Sequence, residues 1–328
     1  MEGNIPKNHS LLKAKNNKND EFYTQYADIE RELEHYQAFL SGKTIYLPCD
    51  NPYYSQFFRY FVAHFNDFQL KRLIATCYDA HFGQLSLFED YDERQNVIEH
   101  DKQAYKAVIQ EVAEAGSIDE LVKLENNSLS VLAENGDFAS SECIELMKSA
   151  DVVITNPPFS LFRKLLKLLK TMNKDFILLG PSQAIVYSES FQWFQNSELH
   201  LGFTPFSSSL SFEVPKGNRY DKAENGHFYK KVPIAWYTSF PIRAPVKALS
   251  LTKTYSPDVY KKLDTDSTVI NVDTVAAIPK NYFGRLAVPI TFLACWARDD
   301  YQLLGKIDKA MVQGQEKFTR LLIQKIKK

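Results

Sequence analysis

Apolar positions along the first two-thirds of the chain fall into two alternating rhythms. Short runs rich in apolar residues at 44–47, 72–77, 129–132, 151–155 and 176–179 predict strands, the first of them buried. Between them, apolar residues recur every three or four positions: Ile29, Leu33, Tyr36 and Phe39-Leu40, then 55–65, 141–148 and 161–170. These segments predict amphipathic helices, the first closed by Ser41-Gly42. Strands and helices in alternation argue for an α/β fold, a mostly parallel sheet with helices on both faces. Residues 80–127 interrupt the rhythm. They are acidic, carry helical spacing between Lys102 and Ala115, and read as an insertion into the sheet. The runs 199–203 and 232–238 have no helix between them and are expected as antiparallel edge strands. Beyond Pro241 the alternation ceases, so a smaller, separate C-terminal unit is expected over 241–328, after a polar arm at 1–20 and a main domain over 21–240.

With 328 residues, 45% of them hydrophobic, the chain can bury a large core. A formal net charge of −1 says little about partners, since a polyanion needs only a local basic face. Basic residues do cluster: Lys7, Lys13, Lys15 and Lys18 in the polar arm, Arg163, Lys164, Lys167 and Lys170 in the fourth helix, and Arg320, Lys325, Lys327 and Lys328 at the end. Each cluster suits phosphate contacts and equally suits a solvated face. Cys49, Cys77, Cys143 and Cys295 contain no Cys-x-x-Cys pair, so neither a zinc site nor a disulfide framework is expected, and a reduced, cytoplasmic, metal-free protein is the simpler inference. No apolar run approaches the length of a membrane span, and the N-terminus is polar.

Chemistry enters with Asn156-Pro157-Pro158-Phe159, which follows the run Val152-Val153-Ile154-Thr155 and precedes a predicted helix. A strand end at a turn is where open α/β sheets place reactive groups. The side-chain oxygen of Asn156 and the carbonyl of Pro157 are two acceptors, and tandem prolines hold them with φ preset. Two acceptors aimed at the hydrogens of an exocyclic amino group would localise its lone pair for attack on an electrophilic methyl group. Phe159 offers a flat face for an extruded base, a contact worth about 1–3 kcal/mol. The same four residues could also merely end a strand and start a helix with proline in its first turn.

Tyr23-Thr24, Asp50, Asn135-Gly136-Asp137-Phe138 and the Asn156 motif occur in that order, and together they are similar to the EcoRI-type adenine-specific DNA methyltransferases. Segments 20–26, 28–30, 70–75 and 288–293 share in the resemblance. It implies a Rossmann-like class I methyltransferase fold with the cofactor site first, the catalytic motif second and a C-terminal DNA target-recognition region last. It also implies S-adenosyl-L-methionine as cofactor and adenine N6 in double-stranded DNA as acceptor. By the same resemblance, Tyr23 and Thr24 close over the methionine end of the cofactor. Asp50, with Asn51 and Pro52, meets its ammonium group, Tyr78 and Asp79 its ribose, and Asp137 and Phe138 its adenine. Asn156, Pro157, Pro158 and Phe159 form the catalytic loop. The loop at Asp50 lacks the glycine-rich turn that many methyltransferases use there.

DNA contacts are expected from Lys13, Lys15 and Lys18 in the arm and from Arg219, Arg243 and Arg285 as readers of guanine edges. Sequence reading is assigned to 241–328, with the basic and aromatic segment 216–231 as a second contributor. The resemblance further implies a monomer in a restriction-modification or phage/host DNA-protection setting. A cognate endonuclease would share its site without forming a stable complex, and GAATTC is the first recognition sequence to try. Two other readings stay open: methylation of another amino group (cytosine N4, RNA adenine or protein glutamine), and a catalytically silent DNA-binding relative.

Overall fold

The computed structural model describes residues 26–78, 104–113, 117–206, 208–214, 221–224, 226–242, 246 and 248–327. In chain order its elements begin with α1 (Tyr26–Leu33), α2 (Gln37–Leu40), β1 (Thr44–Leu47), α3 (Gln56–Ala63), β2 (Arg72–Thr76), β3 (Tyr105–Ile109), α4 (Ile118–Leu121) and β4 (Ser128–Val131). Then come α5 (Ser141–Ser149), β5 (Val152–Thr155), α6 (Phe162–Thr171), β6 (Asp175–Pro181), α7 (Ser188–Gln195), β7 (His200–Leu201), β8 (Ser209–Val214), β9 (Lys222–Glu224) and β10 (His227–Thr238). The remaining strands are β11 (Val269–Asn271), β12 (Arg285–Pro289), β13 (Tyr301–Ile307), β14 (Met311–Val312), β15 (Gln315–Glu316) and β16 (Arg320–Lys325), with short 3-10 helices at Val275–Ala277 and Ile290–Cys295. Two compact units result, one ending at Pro181 and resuming over Ser209–Phe240, the other made of Ser182–Ser208 and the chain from Pro241.

The first unit is built on a sheet of order β4-β3-β2-β1-β5-β6-β10. β1 pairs in parallel with β2 on one side, Thr44 opposite Arg72, and with β5 on the other, Ile45 opposite Val152. β5 pairs in parallel with β6, and β10 runs antiparallel to β6 with Ile234 opposite Pro181. β1 and β5 are buried along their whole length, which is why they read as unbroken apolar runs. On β10 the rings of Trp236 and Tyr237 point to opposite faces, as successive strand residues must. Phe57 of α3 packs on the first, ring centres 5.9 Å apart, and Phe162 of α6 on the second at 5.0 Å. Helices therefore cover both faces, and the fold is Rossmann-like. Gly180 lets α6 lie close to β6, since a Cβ there would come within 2.2 Å of the Phe162 ring.

Three sequence expectations change. The helix predicted from spacing between Lys102 and Ala115 is instead β3, an interior strand antiparallel to both β2 and β4. Tyr105, Val108, Ile109 and Val112 have helical spacing, but Ala107 and Ile109 are the buried residues of the strand. That is a period of two, and the backbone finds partners on both sides. Of the run 199–203 only His200–Leu201 is a strand, and residues 182–208, read from sequence as part of the main domain, group with the second unit.

The second unit carries a sheet of order β11-β12-β16-β13. Its first pair is parallel and the others antiparallel. The hairpin β14–β15 turns at Gln313 and Gly314, both with positive φ, the turn whose twist suits a two-residue hairpin. Leu263, Val269, Ala287, Ala310 and Val312 form a core within this unit.

Candidate active site

β1, β2, β5 and β6 run parallel, so their carboxyl ends lie on one edge of the sheet. After β1 the chain crosses through α3 to β2, and after β5 through α6 to β6, in opposite directions. The loops part at β1/β5, the switch point where such sheets hold ligands.

Asp50 follows β1 and is buried. Its backbone N–H donates to the carbonyl of Thr76 at the end of β2 (2.9 Å). Its carboxylate accepts from Ser55 Oγ at 2.6 Å and from Thr155 Oγ1 at 2.8 Å. Ser55 Oγ also accepts the N–H of Phe58, capping α3 (3.2 Å). Burial pushes the Asp50 carboxyl up to about 6, against the opposing pull of the two hydroxyls. Asn51 is buried and its Oδ1 accepts the N–H of Tyr53 (3.0 Å), so with the buried Pro52 it shapes the loop.

Thr155, itself fully buried, is the last residue of β5 and immediately precedes Asn156-Pro157-Pro158-Phe159. Asn156 is half-buried, with its side-chain oxygen out of solvent. Pro157 is buried, Pro158 and Phe159 are half-buried, and the N–H of Leu161 donates to the carbonyl of Pro158 (2.8 Å) as the chain turns into α6. The hydroxyl of Thr155 thus joins the loops after β1 and β5 across a sequence separation of 105 residues.

The loop after β4 closes the group from the other side. Gly136 has φ +75°, and a Cβ on it would fall 2.0 Å from the carbonyl oxygen of Cys77, so only glycine allows this loop to press on the end of β2. Asn135 Oδ1 accepts the N–H of Asp137 (3.0 Å), and Asp137 Oδ1 accepts the N–H of Ala139 (2.8 Å). Lys164 of α6 lies 3.4 Å from Asp137 Oδ2 and 5.1 Å from the ring centre of the buried Phe138. The Asp137 carboxylate remains partly open to solvent.

Asp50, Asn51, Pro52, Asp137, Phe138 and the Asn156 motif are therefore gathered on one edge, with the exposed Tyr78 following β2. Arg285 sits in the second unit, its guanidinium beside Asp266 at 3.3 Å and donating to Thr268. Tyr23, Thr24, Asp79, Lys13, Lys15, Lys18, Arg219 and Arg243 lie outside the described residues. Sequence reading overlooked Ser55 and Thr155, and it took Lys164 only as one of a basic cluster. A hydroxyl at a helix N-cap and another just before the Asn156 motif were the available signals. Among the described residues no group of His, Cys, Asp or Glu could hold a metal ion, and no helix is long and apolar enough to cross a membrane.

A family profile described as adenine-specific methyltransferase EcoRI matches residues 10–327. The chain belongs to the EcoRI adenine-specific methyltransferase family. It is 34% identical over 330 residues to Type II methyltransferase M.EcoRI of Escherichia coli, covering 97% of this chain and 96% of that protein. It is 29% identical to Type II methyltransferase M.MgeORF184P of Mycoplasma genitalium, covering 97% and 99%. Type II methyltransferase M.MpnI of Mycoplasma pneumoniae is 31% identical, covering 90% of this chain and 85% of its own. No solved structure matches. The match to the EcoRI family takes in both units of the fold, so the second unit is part of what its members share.

Proposed function

We propose that this EcoRI-family protein is a site-specific DNA methyltransferase that transfers a methyl group from S-adenosylmethionine to N6 of an adenine rotated out of duplex DNA. The observation that carries the reading is Asn156-Pro157 at the switch-point edge, joined through Thr155 to the buried carboxylate of Asp50. The donor set suits the cofactor. Asp50 has accepted one hydroxyl on each oxygen and keeps lone pairs for an ammonium group. A cation there would also favour the ionised form that burial opposes. Asp137, partly open, suits an adenine amino group, with Lys164 and Phe138 bounding it. When bound, the cofactor supplies the electrophilic methyl group.

The chain's own residues then do three things. Asn156 Oδ1 and the Pro157 carbonyl accept the two amino hydrogens of the target and localise its lone pair. Phe159 stacks on the extruded base, offsetting part of the few kcal/mol that extrusion costs. The amino nitrogen would gain the methyl group as that group's bond to the cofactor's sulfur breaks, leaving a neutral thioether, and would then lose one proton to solvent, so no residue needs a shifted pKa. The type II relatives support a role in marking DNA against a cognate endonuclease.

The test is direct. Incubation with labelled S-adenosylmethionine and duplexes, starting with GAATTC and followed by nucleoside analysis, should yield N6-methyladenine. Asn156→Ala should lower transfer by at least 10²-fold, the scale of losing one placed hydrogen-bonding group, while cofactor affinity is kept. N4-methylcytosine as the product, or full activity of the variant, would overturn the assignment.

A further inference from the structure

The register of β10 has a consequence for how the duplex is held. Its last residues pair with β6, and that pairing stops at Ile234 opposite Pro181, the carboxyl end of β6. Seven residues, 227–233, run on beyond that end, a reach of roughly 23 Å at about 3.3 Å per residue. They do not run alone. β8 pairs with β10 from Val214 opposite Phe228 to Ser209 opposite Pro233, and β9 pairs on its other side from Glu224 opposite His227 to Lys222 opposite Tyr229. The result is an antiparallel ribbon that carries the sheet beyond the end of β6.

The direction of the overhang places it beside the active site. Thr155 lies level with Leu178 of β6, and β6 is level with β10 from Ile177 to Pro181. The ribbon therefore rises past the edge that carries Asn156, two strands away, which is a lateral offset of roughly 10 Å at about 4.8 Å per strand. At 3.4 Å per base step this corresponds to about three base pairs. The sequence of the ribbon suits a polyanion better than the chain as a whole does. The described overhang of β10, residues 228–233, holds two basic side chains and no acid, while the full chain is at −1. Lys231 is exposed and Lys230 half-buried, both on the overhanging part of β10. The ribbon is also held in shape by its own contacts: Asp221 donates its N–H to the Tyr229 carbonyl at 2.8 Å and accepts the Lys231 N–H at 2.8 Å.

We propose that the β8–β9–β10 ribbon is a DNA-gripping arm of the first unit, lying along the duplex within a few base pairs of the target adenine. Lys231, the exposed one, contacts its phosphates, and Lys230 points to the opposite face. A lysine on a paired strand neutralises a phosphate without reading sequence. The arm supplements whatever reading the second unit performs, and its role rests on the DNA reading given above.

Salt-dependent duplex binding by the full chain tests it. With Lys231→Gln, the slope of log affinity against log salt should fall by about 0.9, the value for one phosphate contact, and affinity at 0.15 M salt should drop by roughly fivefold, while Lys230→Gln on the opposite face should leave both unchanged. S-adenosylmethionine affinity and thermal unfolding should stay at the unsubstituted values, which separates a lost DNA contact from a damaged fold. A Lys231→Gln variant that misfolds would be replaced by Lys231→Met, for which the same slope change of about 0.9 is expected. An unchanged slope in a folded Lys231 variant overturns the arm while leaving the DNA reading intact. Failure of the unsubstituted protein to bind or methylate any duplex overturns both.

Discussion

Replacing Asp50 with Asn removes a charge without removing the side chain's ability to hydrogen-bond Ser55 and Thr155, since both hydroxyls can donate or accept. Asp50 is buried, and its carboxyl rises from an ordinary 3.8 to about 6. At about 1.4 kcal/mol per pH unit that rise amounts to about 3 kcal/mol. The sign follows from which state holds the proton more tightly. The folded state does, so the contribution of Asp50 to stability is fully present below pH 3.8 and is lost as pH rises through 6. Above pH 7 the unliganded protein therefore carries a buried carboxylate that costs it about 3 kcal/mol relative to a neutral side chain of the same shape. Urea unfolding of the unliganded protein and of Asp50→Asn, followed from pH 4 to 8, should show the variant gaining about 3 kcal/mol on the parent, most of it between pH 4 and 6.5. Two stability curves that stay parallel across that range would refute the burial argument. The same experiment with S-adenosylmethionine should narrow the gap at pH 8, because an ammonium group beside Asp50 offsets the cost only where the carboxylate exists. A residue that weakens the empty protein and steadies the loaded one fits a binding site better than a structural one.

Two further substitutions probe the loops. Thr155→Val keeps the volume of β5 and removes one hydroxyl from the Asp50 carboxylate, so stability above pH 6 should fall by about 1.5–3 kcal/mol. Turnover should fall more than affinity for DNA, and Thr155→Ser should restore it; a variant with unchanged turnover would show that Asn156 is placed without this bond. Gly136→Ala places a Cβ against the Cys77 carbonyl at a positive φ, which should cost upward of about 1–3 kcal/mol. By displacing Asp137 it should weaken cofactor binding about tenfold in calorimetry, and unaltered affinity would remove the β4 loop from the cofactor site.

Much of the first unit is legible without coordinates. β1 and β5 lie at the centre of a covered parallel sheet, so burial on both faces wrote itself into unbroken apolar runs. The helices after them follow from spacing and from punctuation such as Ser55 at the start of α3. The Asn156 motif is readable because its chemistry is local: one amide, two prolines and an aromatic ring need only each other's sequence positions. β3 was not readable in this way, because a short apolar run with mixed periodicity is settled by the neighbours that take its backbone hydrogen bonds.

Composition, hydrophobic rhythm and the order of the motifs determined the α/β class and the family, since each depends on residues near one another in the chain. Tertiary structure alone decided that Asp50 is gripped by Thr155 from 105 positions away. It also decided that residues 182–208 group with the second unit and that β10 outruns β6 by seven residues on the catalytic edge. Those are matters of register and long-range contact, which the pairing of distant strands creates.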